Sequence, residues 1–386
     1  MHRHGGSVRP PTRLAARLAL AFAIASVFFA VPIAAQFASP VAAPRIDEDA
    51  AVVPRGVLRF GVATDFEFTE QLRQPNGTRV PLARRLGFDS ATDNVVASAA
   101  VSITRLNLSL EYGVTRWLTL GASAPLVRRR VEASADTNVR QAPPATPAQT
   151  RVTDFASLTG FTRTNLGDVD FTAKVALLDI SRRGAASHLR VSAGGGFRLA
   201  AGPSRTASSM LDPGAGDGQN DVLASLAADV TLGRRWSLAA VASRTWQRPD
   251  HQTIVAPDSL FPSEQVRRDA ARDLGDYTAI MIAPRYRLTQ YIQFGASVTQ
   301  LNRTADRYDG APPAEGWGLV AAPTGSFGVT RAGLGLVFST MPSGHAIGPW
   351  PAEIVFEHSR VVHSSGADVP DTRIDRLGGR VYIKLF

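Results

Sequence analysis

The sequence predicts an all-β chain: a transmembrane antiparallel up-and-down β-barrel of about 12 strands behind an N-terminal signal peptide. Three observations carry that prediction. The N-terminus is basic and then apolar; apolar residues recur at every second position in a series of short segments; and the links between those segments alternate between short and long.

Met1 to Arg17 holds Arg3, Arg9, Arg13 and Arg17 and no acidic residue, and Leu18 to Val31 is an apolar run. Ala34-Ala35 then offers small residues where a signal peptidase would cut before Gln36, so residues 1–35 are expected to be a signal peptide. The run falls short of the roughly 20 residues that a spanning helix needs. Residues 36–55 are expected to form a short periplasmic N-terminal segment and residues 56–386 the barrel.

The stretch LNLSLEYGVTRWLTLGASAPL, residues 106 to 126, shows the repeating unit. Leu106, Leu108, Leu110 and Tyr112, then Leu118, Leu120, Ala122, Ala124 and Leu126, alternate with Asn107, Ser109, Glu111, Thr119 and Ser123 across a tight turn at Thr115-Arg116. That is one antiparallel hairpin with a single apolar face. The pattern returns at Leu58, Phe60 and Val62; at Phe171, Ala173, Val175 and Leu177; at Leu189, Val191, Ala193, Phe197 and Leu199; and at Val222, Leu226, Val230 and Leu232. It continues in WSLAAVAS, at Ile280, Ile282, Tyr286 and Leu288, at Ile292, Phe294 and Val298, at Leu334, Leu336 and Phe338, at Ile354 and Phe356, and in the C-terminal RVYIKLF. Segments of roughly ten residues are long enough to cross a bilayer at a tilt.

Short links at 115–116, 179–187, 233–235, 289–290 and 340–351 take turns with longer Pro-, Gly-, Ser- and Thr-rich segments near 69–95, 128–166, 203–220, 248–275, 303–324 and 364–372. Short periplasmic turns on one rim and long extracellular loops on the other are how an outer-membrane barrel sorts its connections. Tyr112, Trp117, Trp236, Tyr286, Tyr291 and Trp350 sit at the short links, a candidate aromatic girdle. The apolar face is therefore expected to meet lipid. In the last strand, Leu377, Val381, Ile383 and Leu385 would face outward, since the other parity would put Arg380 and Lys384 on the lipid side. Phe386 offers a terminal aromatic of the kind read by the barrel-assembly machinery.

Composition excludes several classes. There is no cysteine, hence no disulfide framework and no thiolate metal site. The formal charge is +9, and removing the four signal-peptide arginines leaves +5, scattered along the chain with Lys174 and Lys384 as the only lysines. Such a distribution does not suggest nucleic acid. No cofactor motif occurs. Expected partners are outer-membrane lipid and lipopolysaccharide, the assembly machinery and a small-molecule solute.

The inward parity holds the charges. Arg59, Arg105, Lys174, Arg190, Arg198, Arg285, Arg287 and Arg331 would line the lumen with Asp65, Glu67, Glu111, Asp170, Asp221, Asp229, Glu353 and Glu357, so the two signs roughly balance. Both a narrow pore and a barrel plugged by those pairs fit this wall. With only residues 36–55 ahead of the first strand, gating is expected from loops such as 128–166.

The stretches LEYGVTRWLTLGASAPLV, NLGDVDFTAKVALL and RVSAGGGFRLAAG resemble the strand pattern of the phenol-degradation MetA-pathway family of outer-membrane barrels. The shared pieces are the Tyr112-Gly113 turn, the exit at Pro125, Gly167-Asp168 opening a strand and Gly202 closing another. Arg116 in the first turn, and Leu199-Ala200-Ala201-Gly202 in place of Leu-Pro-x-Gly, depart from it. The resemblance implies an outer-membrane channel for hydrophobic or aromatic compounds.

Sites with other chemistry are sparse. His363 and Ser365 would share a strand face, as a lipid hydrolase of the barrel wall would require, but no third group orients the histidine. In DPGAGDGQND, Asp212, Asp217 and Asp221 are candidate Ca²⁺ ligands, although Asp and Gly also build ordinary turns. No catalytic residue is assigned. Three functions stay open: passive uptake of small solutes through the outer membrane of a Gram-negative-type bacterium, a structural or adhesive barrel, and a membrane lipid hydrolase.

Overall fold

The structure, a computed structural model, describes residues 44–82, 95–137, 161–181, 188–203, 214–257, 265–309, 325–341 and 351–385. Among them are nineteen strands. In chain order these are β1 (Val57–Thr69), β2 (Gln71–Arg73), β3 (Arg79–Pro81), β4 (Val95–Gly113), β5 (Leu118–Thr137), β6 (Phe161–Leu166), β7 (Val169–Ser181), β8 (His188–Leu199), β9 (Asp221–Leu232) and β10 (Trp236–Gln247). There follow β11 (Asp250–Pro257), β12 (Gln265–Asp273), β13 (Tyr277–Arg287), β14 (Ile292–Arg303), β15 (Arg307–Asp309), β16 (Phe327–Ser339), β17 (Ala352–Gly366), β18 (Val369–Pro370) and β19 (Arg373–Lys384).

Twelve of these strands, β1, β4, β5, β7, β8, β9, β10, β13, β14, β16, β17 and β19, form a closed antiparallel barrel. β19 returns to β1 in register from Val57 opposite Lys384 to Phe68 opposite Arg373, so neither terminal strand leaves an open edge. Closure is what a strand wall needs in lipid, where an unpaired backbone N–H or C=O has no water to bind. The alternation sorts the two faces as anticipated. Phe60, Leu108, Leu120, Ile282, Leu334 and Leu377 are exposed on the outside, Leu120 at 48%, whereas Gly61, Ala63 and Asp65 are buried on the inside.

Leu177 departs from its expected outward face. The pairing of β7 with β8 slips between Ala176 and Leu178, so Leu178 stands opposite Val191 and Leu177 is only 9% exposed. One extra residue in one strand is a bulge, and it reverses the parity beyond it.

The expected long loops are in part strand. β4 runs from Val95 and β5 to Thr137, well beyond the length that spans the membrane, and the β11–β12 hairpin lies within 248–275. In the outer parts of β4 and β5 the pattern inverts: Val101, Ile103, Val127 and Val131 are buried inside, while Arg128, Arg130 and Glu132 are exposed outside. Above the membrane the outer face meets water, so the polar residues change sides. What covers the inner face is the β2–β3 hairpin, whose Leu72 and Val80, with Leu82 just after it, pack on Val101, Ile103, Val127 and Val131. β18 pairs with β2, and Val369 joins Tyr277, Leu301, Phe327, Val329 and Val361 in a second inner cluster. Together β2, β3 and β18 make a small sheet over the extracellular mouth.

The N-terminal segment closes from the other side. Gly56 N donates to Gly113 O at 2.8 Å at the periplasmic rim, and the chain before it turns up into the lumen instead of staying below the barrel. Val53 N donates to Thr119 Oγ1 at 2.8 Å, Ala50 N to Asp229 Oδ1 at 2.8 Å and Ile46 N to Glu357 Oε2 at 3.4 Å. Ile46 and Ala50 pack on Ala227, Ala239, Val241, Met281, Ala283 and Val355 of the inner wall. The barrel makes room for this with Gly295, where an added Cβ would stand 2.8 Å from Ile46 Cδ1. The sequence gives no sign of this docking, because a short irregular segment carries no periodic signal of where it sits. Residues 138–160, the centre of the loop expected to gate, lie outside the described residues.

Candidate functional site

Between the N-terminal segment below and the β2–β3–β18 cap above lies a cavity of about 400 Å³. The inner faces of β4 and β16 are apolar towards the extracellular end and charged below it, whereas β1 stays polar up to Thr69 and the ends of β7 and β8 bring Asp170 and Arg198. On β16, Phe327 and Val329 precede Arg331 on the inner face; on β4, Val101 and Ile103 precede Arg105.

The charged part of the lining is a ladder of ion pairs. Arg376 at its centre donates through Nε to Asp65 Oδ1 at 2.5 Å and through Nη1 to Glu357 Oε2 at 3.3 Å. Arg198 bonds both oxygens of Asp170, at 2.7 and 3.0 Å. Arg59 pairs with Glu111, Arg105 with Glu67, and Arg380 with Asp47 of the N-terminal segment. Lys174 Nζ donates to Asp49 O at 2.5 Å, and Arg285 donates to Glu48 O. Arg190 binds Asp229 at 2.8 Å, and Tyr382 Oη donates to Glu353 Oε2 at 2.8 Å. Bidentate and charge-assisted bonds of this kind are strong and directional, and they fix the segment inside the wall.

Arg59, Arg105, Glu111, Asp170, Lys174, Arg198 and Arg331 thus line the main cavity. Arg190, Arg285 and Glu353 face a second cavity of about 290 Å³ on the periplasmic side of the segment, Asp229 and Glu357 hold its backbone, and Arg287 lies exposed at the periplasmic mouth. Arg376 and Tyr382 escaped the sequence reading, although the parity that turns Leu377 and Val381 outward already turns them inward. Asp47, Glu48 and Asp49 lie in an irregular segment and carried no such signal.

Tyr112, Trp117, Trp236, Tyr286 and Tyr291 stand at the short-turn rim, with the rings of Trp236 and Tyr286 4.8 Å apart. Trp350, Asp212 and Phe386 lie outside the described residues. Asp217 accepts from Gln219 N at 2.8 Å and Asp221 from Arg198 at 3.5 Å; no group of three or more acidic or histidine side chains converges on a metal position among the described residues. His363 and Ser365 are exposed near the extracellular end of β17, and among the described residues no hydrogen bond joins them.

No family model matches the chain, that of the family it resembles included, and no curated protein matches it in sequence. Solved structures do. The COG4313 outer membrane channel from Pseudomonas putida F1 superposes with a TM-score of 0.53 at 14% identity, over 87% of this chain and 98% of that one. The Ralstonia pickettii toluene transporter TbuX overlaps more loosely, with a TM-score of 0.34 at 11% identity over 87% of this chain and 92% of that one, too slight a likeness to bear on function. At such identities the shared property is architecture, and the architecture of this chain is that of an outer-membrane β-barrel.

Proposed function

We propose that this protein is a channel of the outer membrane of a Gram-negative-type bacterium that takes up small hydrophobic or aromatic solutes passively. The observation that carries the reading is the lumen cavity with an apolar patch of Val101, Ile103, Leu301, Phe327, Val329 and Ile374 in its lining, inside a wall that faces lipid. A barrel that served only as an anchor has no need of a chamber with an apolar patch between a plug and a cap. The balanced ion pairs below it disfavour bulk flow of either sign of ion. The chain carries no residue set that we assign to catalysis, the assembly machinery is taken to engage the C-terminal strand and the Phe386 that follows it in sequence, and lipid and lipopolysaccharide are taken to surround the wall.

Uptake of radiolabelled naphthalene and of glucose into proteoliposomes, set against empty liposomes, tests this. Faster entry of naphthalene without faster entry of glucose is expected. Equal rates in loaded and empty vesicles would turn the assignment towards a structural barrel, and release of fatty acid from the vesicle lipid would turn it towards an enzyme.

A further inference from the structure

Arg331 lines the main cavity and, among the described residues, has no ion-pair partner within 4.0 Å and no hydrogen bond from its buried Nε. Its neighbours on the wall are different. Arg59, Arg105, Arg198, Arg376 and Arg380 each hold a carboxylate, and Lys174 and Arg285 each hold a carbonyl of the N-terminal segment. Its cross-strand partners, Thr299 and Val361, bring no acid. Glu357, which shares a crevice with it, is already engaged by Arg376 and by Ile46 N. A guanidinium removed from bulk water without an anion is costly, and a wall that pairs its other cations so consistently leaves this one with a vacancy of charge.

Towards the extracellular end the chemistry beside it is apolar. Val329 and Phe327 follow on the same face of β16 towards the extracellular end, and Leu301 and Ile374 flank them around the cavity. A ligand that satisfied both would be an anion at one end and hydrocarbon at the other. We propose that Arg331 is the head-group site of the transported solute, and that this solute is an amphiphilic carboxylate: an aromatic or alkyl acid whose carboxylate takes the guanidinium and whose body lies against Phe327, Val329, Leu301 and Ile374. The proposal rests on the reading of the lumen as a solute path, and it narrows that path from apolar compounds in general to those with an acidic end.

Binding tests it apart from transport. The mature full-length barrel, folded in a detergent of high critical micelle concentration, is titrated by calorimetry with 4-phenylbutyrate, 4-phenylbutan-1-ol, 4-phenylbutylamine and acetate. The acid is expected to bind about tenfold or more tighter than the alcohol, with the amine and acetate weaker still, because a charge-assisted bidentate bond adds to the same apolar contact. Arg331→Gln should erase the difference between acid and alcohol while leaving the alcohol unchanged, and Arg331→Lys should keep part of it. Both variants are first checked for the heat-modifiable gel band of a closed barrel. Equal affinity of the wild type for acid and alcohol overturns the proposal, even if neither variant folds. So does an acid preference that survives Arg331→Gln, or acetate binding as tight as that of 4-phenylbutyrate. A wild type that prefers the acid yet transports neither probe into proteoliposomes keeps the site and defeats the channel; transport without that preference does the reverse.

Discussion

Asp168 occupies the break between β6 and β7, where Pro125 of β5 has no N–H to offer a continuous ladder and Gly167 N instead donates to Pro125 O at 2.7 Å. Its carboxylate accepts from Ala201 N, Gly202 N and Asp217 N at 3.2, 3.0 and 3.2 Å, tying the link after β8 to the wall. Replacing it by Ala leaves those donors short of an acceptor, and a loss of about 1–3 kcal/mol is expected in urea unfolding of the refolded barrel. Burial outweighs those bonds and raises the pKa of Asp168; burial and then the negative Asp168 push Asp217 up to about 6. A carboxyl whose folded pKa is raised above its unfolded value of 3.8 binds more protons folded than unfolded between the two, so stability falls as pH rises through that window. Acidifying from pH 7 to pH 5 should therefore raise the urea midpoint, and Asp217→Asn should flatten that dependence. A midpoint that drops on acidification in the wild type and not in the variant would reverse the sign argued here.

The strands are where the sequence was most legible. Alternation set the outward face of β4 and β5 residue by residue from Leu106 to Leu126, and the same parity placed Arg59, Glu111 and Lys174 inside, because a wall between lipid and an interior leaves each position one of two environments. Leu108→Arg, in the middle of the outward-facing run of β4, should cost about 2–4 kcal/mol of folding, whereas Ser123→Ala, on the inner face, should stay within about 0.5 kcal/mol. The yield of the heat-modifiable band on refolding into vesicles reads both. Legibility stopped where a third environment begins. Above the membrane the inner face of β4 is apolar and its outer face polar, so the same period with inverted polarity read as loop, and the small strands β2, β3 and β18 were too short to show a period at all. At Leu177 a bulge changed parity without any mark in the residue types.

At the scale of the whole molecule the barrel is stoppered from both ends, and the lower stopper is the more separable. Apart from the turn at its start, where Glu48 N donates to Arg45 O, the segment from Pro44 to Val53 makes no backbone–backbone bond to the wall of strands among the described residues; its ties are to side chains, from Thr119, Lys174, Arg190, Asp229, Arg285, Glu357 and Arg380. Each of those side chains borders a cavity or a charged neighbour, so water can replace the lost partner when the segment leaves, and the closed ladder of twelve strands keeps its own bonds. Deleting residues 44–52 should accordingly merge the cavities of about 400 and 290 Å³ and give larger single-channel steps in a planar bilayer, with the gel shift of the folded barrel unchanged. A gentler variant makes the same point without deletion. The atoms nearest an added Cβ at Gly295 belong to side chains, Ile46 Cδ1 and Cγ1 at 2.8 and 3.1 Å and Arg285 Cγ at 3.5 Å, so Gly295→Val should expel Ile46 from its seat while sparing the backbone of β14. If the segment is the stopper, both changes raise conductance in the same direction, the deletion more than the substitution. If steps stay at the wild-type size after deletion while the barrel still folds, the constriction belongs to the extracellular cap of β2, β3 and β18, and the corresponding change would have to be sought at Leu72 and Val369, which lie buried beneath it.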